Sequence, residues 1–162
     1  MTDFDSQLIK YTSKPKYVEI SYNNKSLSLE YNSLLVPFGV EKYFNNYILK
    51  IILNNESEEL FNIMKTIEQE NILYLKKQGN FSESEYKSQI INKNNYGNFL
   101  VVKIPLVKGQ ISTNVVDHEN KFDNIFNIKK NQKINVCLEL NAIWNFKNKY
   151  SCVPKVTKIK IL

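Results

Sequence analysis

Apolar and polar positions alternate with a period of two in several short segments of this chain, and one long stretch carries a helical period instead. Val18, Ile20 and Tyr22 alternate within Tyr17–Tyr22, as do Leu27, Leu29 and Tyr31 within Ser26–Tyr31. Across Asn23-Asn24-Lys25 these two segments predict a hairpin. Residues 1–16, ended by Pro15, read as a loose, flexible lead-in. Leu34-Leu35-Val36-Pro37-Phe38-Gly39 is punctuated by proline and glycine and reads as a loop with apolar anchors, where Phe38 is either a core plug or an exposed stacking residue. Tyr47–Leu53 (YILKIIL) is a nearly unbroken apolar run rich in β-branched residues, the pattern of a buried strand.

At Ser57 the period changes to 3.6. Leu60, Met64, Ile67 and Asn71 or Leu75 share one stripe, which Phe61 and Ile63 widen, and its apolar width suits core packing. Ser57 is placed to cap the helix, Glu58 and Glu59 sit at the positive end of its dipole, Lys76 and Lys77 fall in the last turn, and Gly79 follows. Residues 80–95 are polar enough to be mobile. A short helix from about Glu83 to Ile91 fits them, with 92–95 as a linker. The β pattern restarts at Tyr96-Gly97. Asn98–Pro105 reads as a strand that Pro105 either ends or marks as an edge, and Gln110–Val116 as a weaker strand. Asp117–Asp123 is a charged turn, and residues 124–132 are a loop.

The last thirty residues, Lys133–Leu162, read as a long β-hairpin. Ile134, Val136, Leu138 and Leu140 occupy one face of the outgoing arm, and strict alternation continues that face through Ala142 to Trp144, putting Ile143 on the other. Core packing is therefore the favoured reading of Trp144. Ile159 and Ile161 alternate with Lys158 and Lys160 on the return arm, and Val153-Pro154 marks a bend or bulge. Between the arms lies a polar tip with Phe146, Lys147, Lys149 and Tyr150. Several strands, one helix in mid-chain and a long terminal hairpin make a mainly β, α+β chain. The expected architecture is a single OB-like Greek-key barrel domain over 1–162 with the helix inserted.

Charge sharpens this picture. Residues 1–95 hold 11 lysines against 12 acids, net −1, whereas residues 96–162 hold 11 lysines against 4 acids, net +7. The basic half contains the hairpin, so a polyanion is the implied partner. All 22 basic residues are lysine. Lysine is a point charge without arginine's bidentate fork, so it suits tracking of phosphates better than reading of bases. Aromatic side chains beside such lysines offer bases a flat surface regardless of base identity. Phe146 and Tyr150 are the leading stacking candidates, with Trp144 ambiguous. Lys147, Lys149, Lys155, Lys158 and Lys160 are the leading phosphate contacts, and Lys103 and Lys108 join them from the preceding basic segment.

Catalysis is not written into the chain. It has neither a GxxxxGK[ST] nor a GxGxxG loop. Its one histidine, His118, sits beside Asp117 and Glu119 in a turn where solvation explains all three. Cys137 and Cys152, on the two arms, read as free thiols in a reducing intracellular compartment, with a cross-strand disulfide as the alternative. No CxxC pair or metal-ligand set is present, and no cofactor is expected. No apolar run reaches the roughly 20 residues of a membrane-spanning helix, and the opening MTDFDSQLIK is unlike a secretory signal.

Pro37-Phe38-Gly39 with its following strand and helix, and the ending LELNAIWNFKNKYSCVPKVTKIKI (Leu138–Ile161), resemble the single-stranded DNA-binding proteins of the large nucleocytoplasmic DNA viruses, of the African swine fever virus and giant-virus type. The resemblance covers most of the chain. It implies an OB-fold, binding of single-stranded DNA in viral replication, recombination or repair, and a setting in the host cytoplasm's viral factory or the virion. It carries Trp144, Lys149, Tyr150 and Lys155 as strand contacts. The absence of arginine departs from what a strong DNA binder would carry. The expected partner is single-stranded DNA, with RNA as the alternative strand and self-association or replication proteins as further partners. The competing reading is a viral structural or replication-complex interaction module without direct nucleic-acid binding.

Overall fold

The computed structural model describes residues 4–79, 81–93, 95 and 97–162. In chain order the strands are β1 (Ile9–Ser13), β2 (Tyr17–Tyr22), β3 (Ser28–Val36), β4 (Glu41–Tyr43) and β5 (Asn46–Leu53). Helix α1 (Glu58–Lys77) follows. Then come β6 (Ile90–Lys93), β7 (Gly97–Ile104), β8 (Leu106–Val107), β9 (Gln110–Ile111), β10 (Asn114–Val116), β11 (Gln132–Glu139), β12 (Ala142–Phe146), β13 (Lys149–Ser151) and β14 (Lys155–Ile161).

Five of these strands form the barrel, in the order β3-β11-β14-β7-β5, with β3 lying against β5 to close it. Every neighbouring pair along this order is antiparallel except β14 and β7, which are parallel. This is the Greek-key order of an OB-like barrel. Helix α1 enters between the second and third barrel strands, after β5. Alternation supplies the interior: Leu29, Leu34 and Val36 from β3, Leu49 and Ile51 from β5, Leu100 and Val102 from β7, Ile134 and Leu138 from β11, and Val156 and Ile159 from β14 are all buried. Leu60, Ile63, Met64, Ile67 and Leu75 of α1 join the same core.

Outside the barrel, β1-β2-β12-β13 form a second sheet. Two crossovers link the sheets side by side. The Ile20 amide donates to the Asn141 carbonyl at 2.8 Å, and the Leu140 amide to the Leu27 carbonyl at 2.9 Å. A buried polar network ties the second sheet to α1. Asn71 accepts from the Tyr11 hydroxyl at 2.6 Å and donates to that of Tyr86 at 3.0 Å, while Glu68 accepts from the Ser88 hydroxyl and the Gln89 amide. Each of these buried groups is satisfied, so the helix is held in place without an exposed dipole left over.

Several expectations are corrected. The lead-in contains a 3-10 turn (Ser6–Leu8) and β1, which pairs with β2 throughout. The strands β2 and β3 exist but do not pair with each other. Asn23 and Asn24, both at positive φ, turn the chain, which then crosses to the barrel, where β3 pairs with β11. Leu34–Val36 belongs to β3 rather than to a loop. A bulge places Ser33 at positive φ, and its amide donates to Asn135 Oδ1 at 2.9 Å. Ser57 makes no side-chain cap on α1. Its hydroxyl instead donates to the Ile52 carbonyl, and Asn54 caps the preceding 3-10 turn by accepting from the Glu56 amide. The helix fitted to Glu83–Ile91 is one 3-10 turn (Glu83–Glu85) followed by extended chain into β6, which also replaces much of the 92–95 linker. Gln110–Val116 is two short strands, β9 and β10. The restart at Tyr96, together with Asn94 of the linker, Asn80 and residues 1–3, lies outside the described residues.

The terminal hairpin is two structures. Its arms β11 and β14 pair from Ile134↔Ile161 to Glu139↔Lys155, with the register shift beside Cys137. Its tip is a separate hairpin, β12–β13, that adds to β2 in the second sheet. Lys147 and Asn148 both take positive φ there, as a two-residue type I′ turn requires.

Candidate nucleic-acid interface

Where the outer faces of the two sheets meet, the chain encloses an open groove of about 740 Å³. The junctions between sheets build it. Asn24, Lys25 and Ser26 come from the β2–β3 crossover, Asn141 from β11–β12, and Val153 from β13–β14. One wall belongs to the second sheet. Tyr17 and Trp144 are register partners there, and their ring centroids lie 4.6 Å apart with the planes tilted by 30°. Trp144 keeps 46% of its surface exposed, which corrects its reading as a core residue. The alternation slips by one position after Leu140, so that Ile143 is buried and Trp144 faces out.

The opposite wall is the outer face of the barrel. Lys103 of β7 and Lys155 of β14 are direct cross-strand partners, and both line the groove. Like charges placed opposite each other are destabilising. Among the described residues neither has a carboxylate within salt-bridge distance, although Glu19 and Glu139 also line the groove. The two lysines thus form a positive pair that makes no ion pair among the described residues.

Phe146 lies two residues beyond Trp144 on the same strand face and is 72% exposed, with Lys147 Nζ 5.3 Å above its ring. Lys149 opposes Phe146, and its ammonium donates to the Ser84 carbonyl at 3.1 Å. Tyr150 pairs with Asn145, which places it on the other face of the hairpin, where it packs edge-on to Phe81 at 5.3 Å. It therefore does not stand beside Trp144. Lys158 and Lys160 continue along the outer side of β14 but line a second hollow of about 250 Å³ with Cys137 and Asn135. Lys108 occupies the turn of the β8–β9 hairpin at positive φ, outside the groove. Of the ten residues singled out from sequence, Trp144, Lys103 and Lys155 come together in the groove, with Phe146 adjacent. Tyr17, Lys25, Glu19, Glu139 and Asn141 were missed. Tyr17 carried a signal, because alternation with Val18 puts it on the polar face of β2. The junction residues carried none, because only the crossing of two sheets makes them a floor.

A second aromatic element flanks the same barrel face. Along one row, Lys155 faces Lys103, Lys103 faces Ile48, and Ile48 faces Glu41. Tyr43 shares the face of Glu41, and at the turn Phe44 is 80% exposed, in edge contact with Tyr43 at 4.8 Å. Phe44 takes a φ of +54°, uncommon for a bulky side chain. Phe38 is half-buried over Phe99 at 5.6 Å, with Lys50 Nζ 5.8 Å from its ring.

Other chemistry is sparse. His118 is exposed beside Glu119 at 3.6 Å. Hydrogen bonds from the Lys121 and Glu119 amides hold Asp117 below its usual carboxylate range. Cys137 and Cys152 are free thiols, and burial pushes Cys152 up to about 12. Among the described residues no group of three or more His, Cys, Asp or Glu side chains is placed to hold a metal ion.

No protein-family model matches the chain, and no curated protein matches it in sequence. Among solved structures the chain is similar to the single-stranded DNA-binding protein from bacteriophage Enc34, with a TM-score of 0.54 and 10% identity over 94% of this chain and 88% of that one. A C-terminal truncation of the same phage protein gives a TM-score of 0.55 and 12% identity, over 96% and 95% of the two chains. At these identities the likeness is one of fold, and the fold of this chain is that of an OB-like barrel carrying an added sheet and helix.

Proposed function

We propose that this protein binds single-stranded DNA without catalysis and with a grip set mainly by backbone and stacking. One observation carries the reading: half-buried Tyr17 and exposed Trp144, in ring contact, line one groove together with the Lys103–Lys155 pair, which makes no ion pair among the described residues. Bases stack on the aromatic wall while phosphates lie against the lysines, a division of labour common to single-strand binders. The loops before the second and fifth barrel strands border the ligand face of OB-folds. Here they carry Phe44 and Trp144 respectively. The similar fold of the phage single-stranded DNA-binding protein supports the reading. The large-virus lineage, the intracellular setting and the role in viral replication, recombination or repair belong to this proposal as the sequence resemblance implies them.

Titration with oligo-dT at low salt is expected to quench Trp144 fluorescence. Affinity should fall as salt rises, with a log–log slope of about −0.7 per neutralised phosphate. Changing Lys103 and Lys155 together to Ala is expected to flatten that slope by roughly 1.4. No quenching at low salt, or a slope unchanged in the double variant, would defeat the proposal.

A protein-docking module is the second reading. Phe122 and Phe126, both exposed and absent from the groove lining, favour it, with Phe126 edge-on to Tyr47 at 5.3 Å. Mass measurement with and without oligonucleotide separates the two.

A further inference from the structure

A groove for a polyanion should not carry carboxylates, yet this one is lined by Glu19 and Glu139. Glu139 lies directly opposite Lys155 in the β11–β14 register, the position from which it would neutralise that lysine. It does not do so: among the described residues no ion pair joins them. Its Oε2 instead accepts from Asn141 Nδ2 at 3.1 Å, which turns the carboxylate toward the crossover floor. Asn141 Oδ1 is enclosed there with no hydrogen-bond partner and is closed to a ligand, so Asn141 acts on the groove by orienting the Glu139 carboxylate.

Order along the groove gives the carboxylates their place. Trp144 pairs with Tyr17, and two residues back on the same face Ala142 pairs with Glu19. The step is about 6.8 Å, roughly the width of a base. Ala142 is small and leaves open the space over which the edge of a base stacked on Trp144 would project. Glu139, the cross-strand partner of Lys155, lines the same groove. A phosphate would be repelled from the two carboxylates, whereas a donor on a base edge would be drawn to them.

Resting on the binding reading above, we infer that Glu139, oriented by Asn141 and joined by Glu19, makes the groove prefer bases that carry an exocyclic amino group over thymine at the position stacked on Trp144. Cytosine, adenine and guanine present N–H₂ donors that a carboxylate accepts. Thymine turns two carbonyls toward the same place, with one N–H between them. The preference is positional and leaves the rest of the strand unread.

Oligo-dC and oligo-dT of equal length form the test, since both are pyrimidine strands with similar backbone freedom. Wild-type protein is expected to bind dC about tenfold more tightly. Glu139→Gln adds a donor and removes the charge. It should tighten dT binding and bring the ratio below about threefold. Glu19→Gln should lower the ratio less. Thermal melting of each variant against wild type checks that the fold is kept. Equal binding of dC and dT by the wild type, or a ratio unchanged in Glu139→Gln, overturns the inference and leaves the binding function standing. Failure of both strands to bind removes the function and the inference together.

Discussion

Strands β11 and β12 follow one another with only Leu140-Asn141 between them; β11 alternates apolar with polar residues, whereas β12 (AIWNF) carries apolar residues on both faces. In β11 the apolar set, Ile134, Val136 and Leu138, is inside the barrel. In β12 the large aromatics Trp144 and Phe146 are outside and Ile143 is inside. A period of two tells which residues share a face but not which face is wet. The slip of one position at the crossover inverts the outcome. Apolar residues thus build stability in one strand and an exposed surface in the next.

Substitutions should separate these two roles. Leu138→Ala is expected to have the largest effect, costing about 2–5 kcal/mol of stability, because its buried side chain leaves a cavity in the barrel. Chemical denaturation measures it. A loss below about 1 kcal/mol would mean that the arm is not core. Trp144→Ala should do the reverse, leaving the unfolding midpoint nearly unchanged while weakening oligo-dT binding by about 1–3 kcal/mol, the worth of one stacked base. A large loss of stability instead would restore Trp144 to the core.

Phe44→Gly sharpens the comparison at the other aromatic loop. Glycine adopts positive φ freely, so stability should rise by up to about 1 kcal/mol while oligonucleotide affinity falls. Opposite signs in the two measurements would show that the strained conformation is kept for contact. The smallest effect concerns pH. Burial raises Cys152 from its ordinary 9.0 to about 12, and it also raises the Tyr11 and Tyr86 phenols above 10.0. The folded state therefore holds protons that the unfolded chain releases first. This stability is complete below about pH 9 and is lost as pH climbs through the folded values. Melting temperature should fall from about pH 9 upward, whereas oligonucleotide binding near neutrality should not vary on this account.

Much of the fold was legible because it rests on local chemistry. The apolar, β-branched runs of β5 and β7, the alternation of β11, the 3.6-residue stripe of α1, and Gly79 just past its end specify their elements wherever they fold. The basic half and the aromatic tip were legible too, because charge and composition need no partner to be counted. Pairing was not. The turn at Asn23-Asn24 reads as a hairpin, yet β2 joins β12, more than a hundred residues later, and β3 joins β11. Strand partners are chosen by burial across the whole chain, which no local window contains.

The candidate site divides along the same line. Residue chemistry alone made Lys155 and Trp144 candidates. Tertiary structure decided that Tyr150 turns inward to Phe81, that Lys108 stands apart, and that Lys103 meets Lys155 across a parallel pair. It also brought Tyr17 and Glu139, distant in sequence, into one groove. Sequence determines what each side chain can do and with what period it recurs. Which of those side chains face one another is settled only when two sheets cross, because that crossing sets both the phase of each strand and the junctions that line the groove.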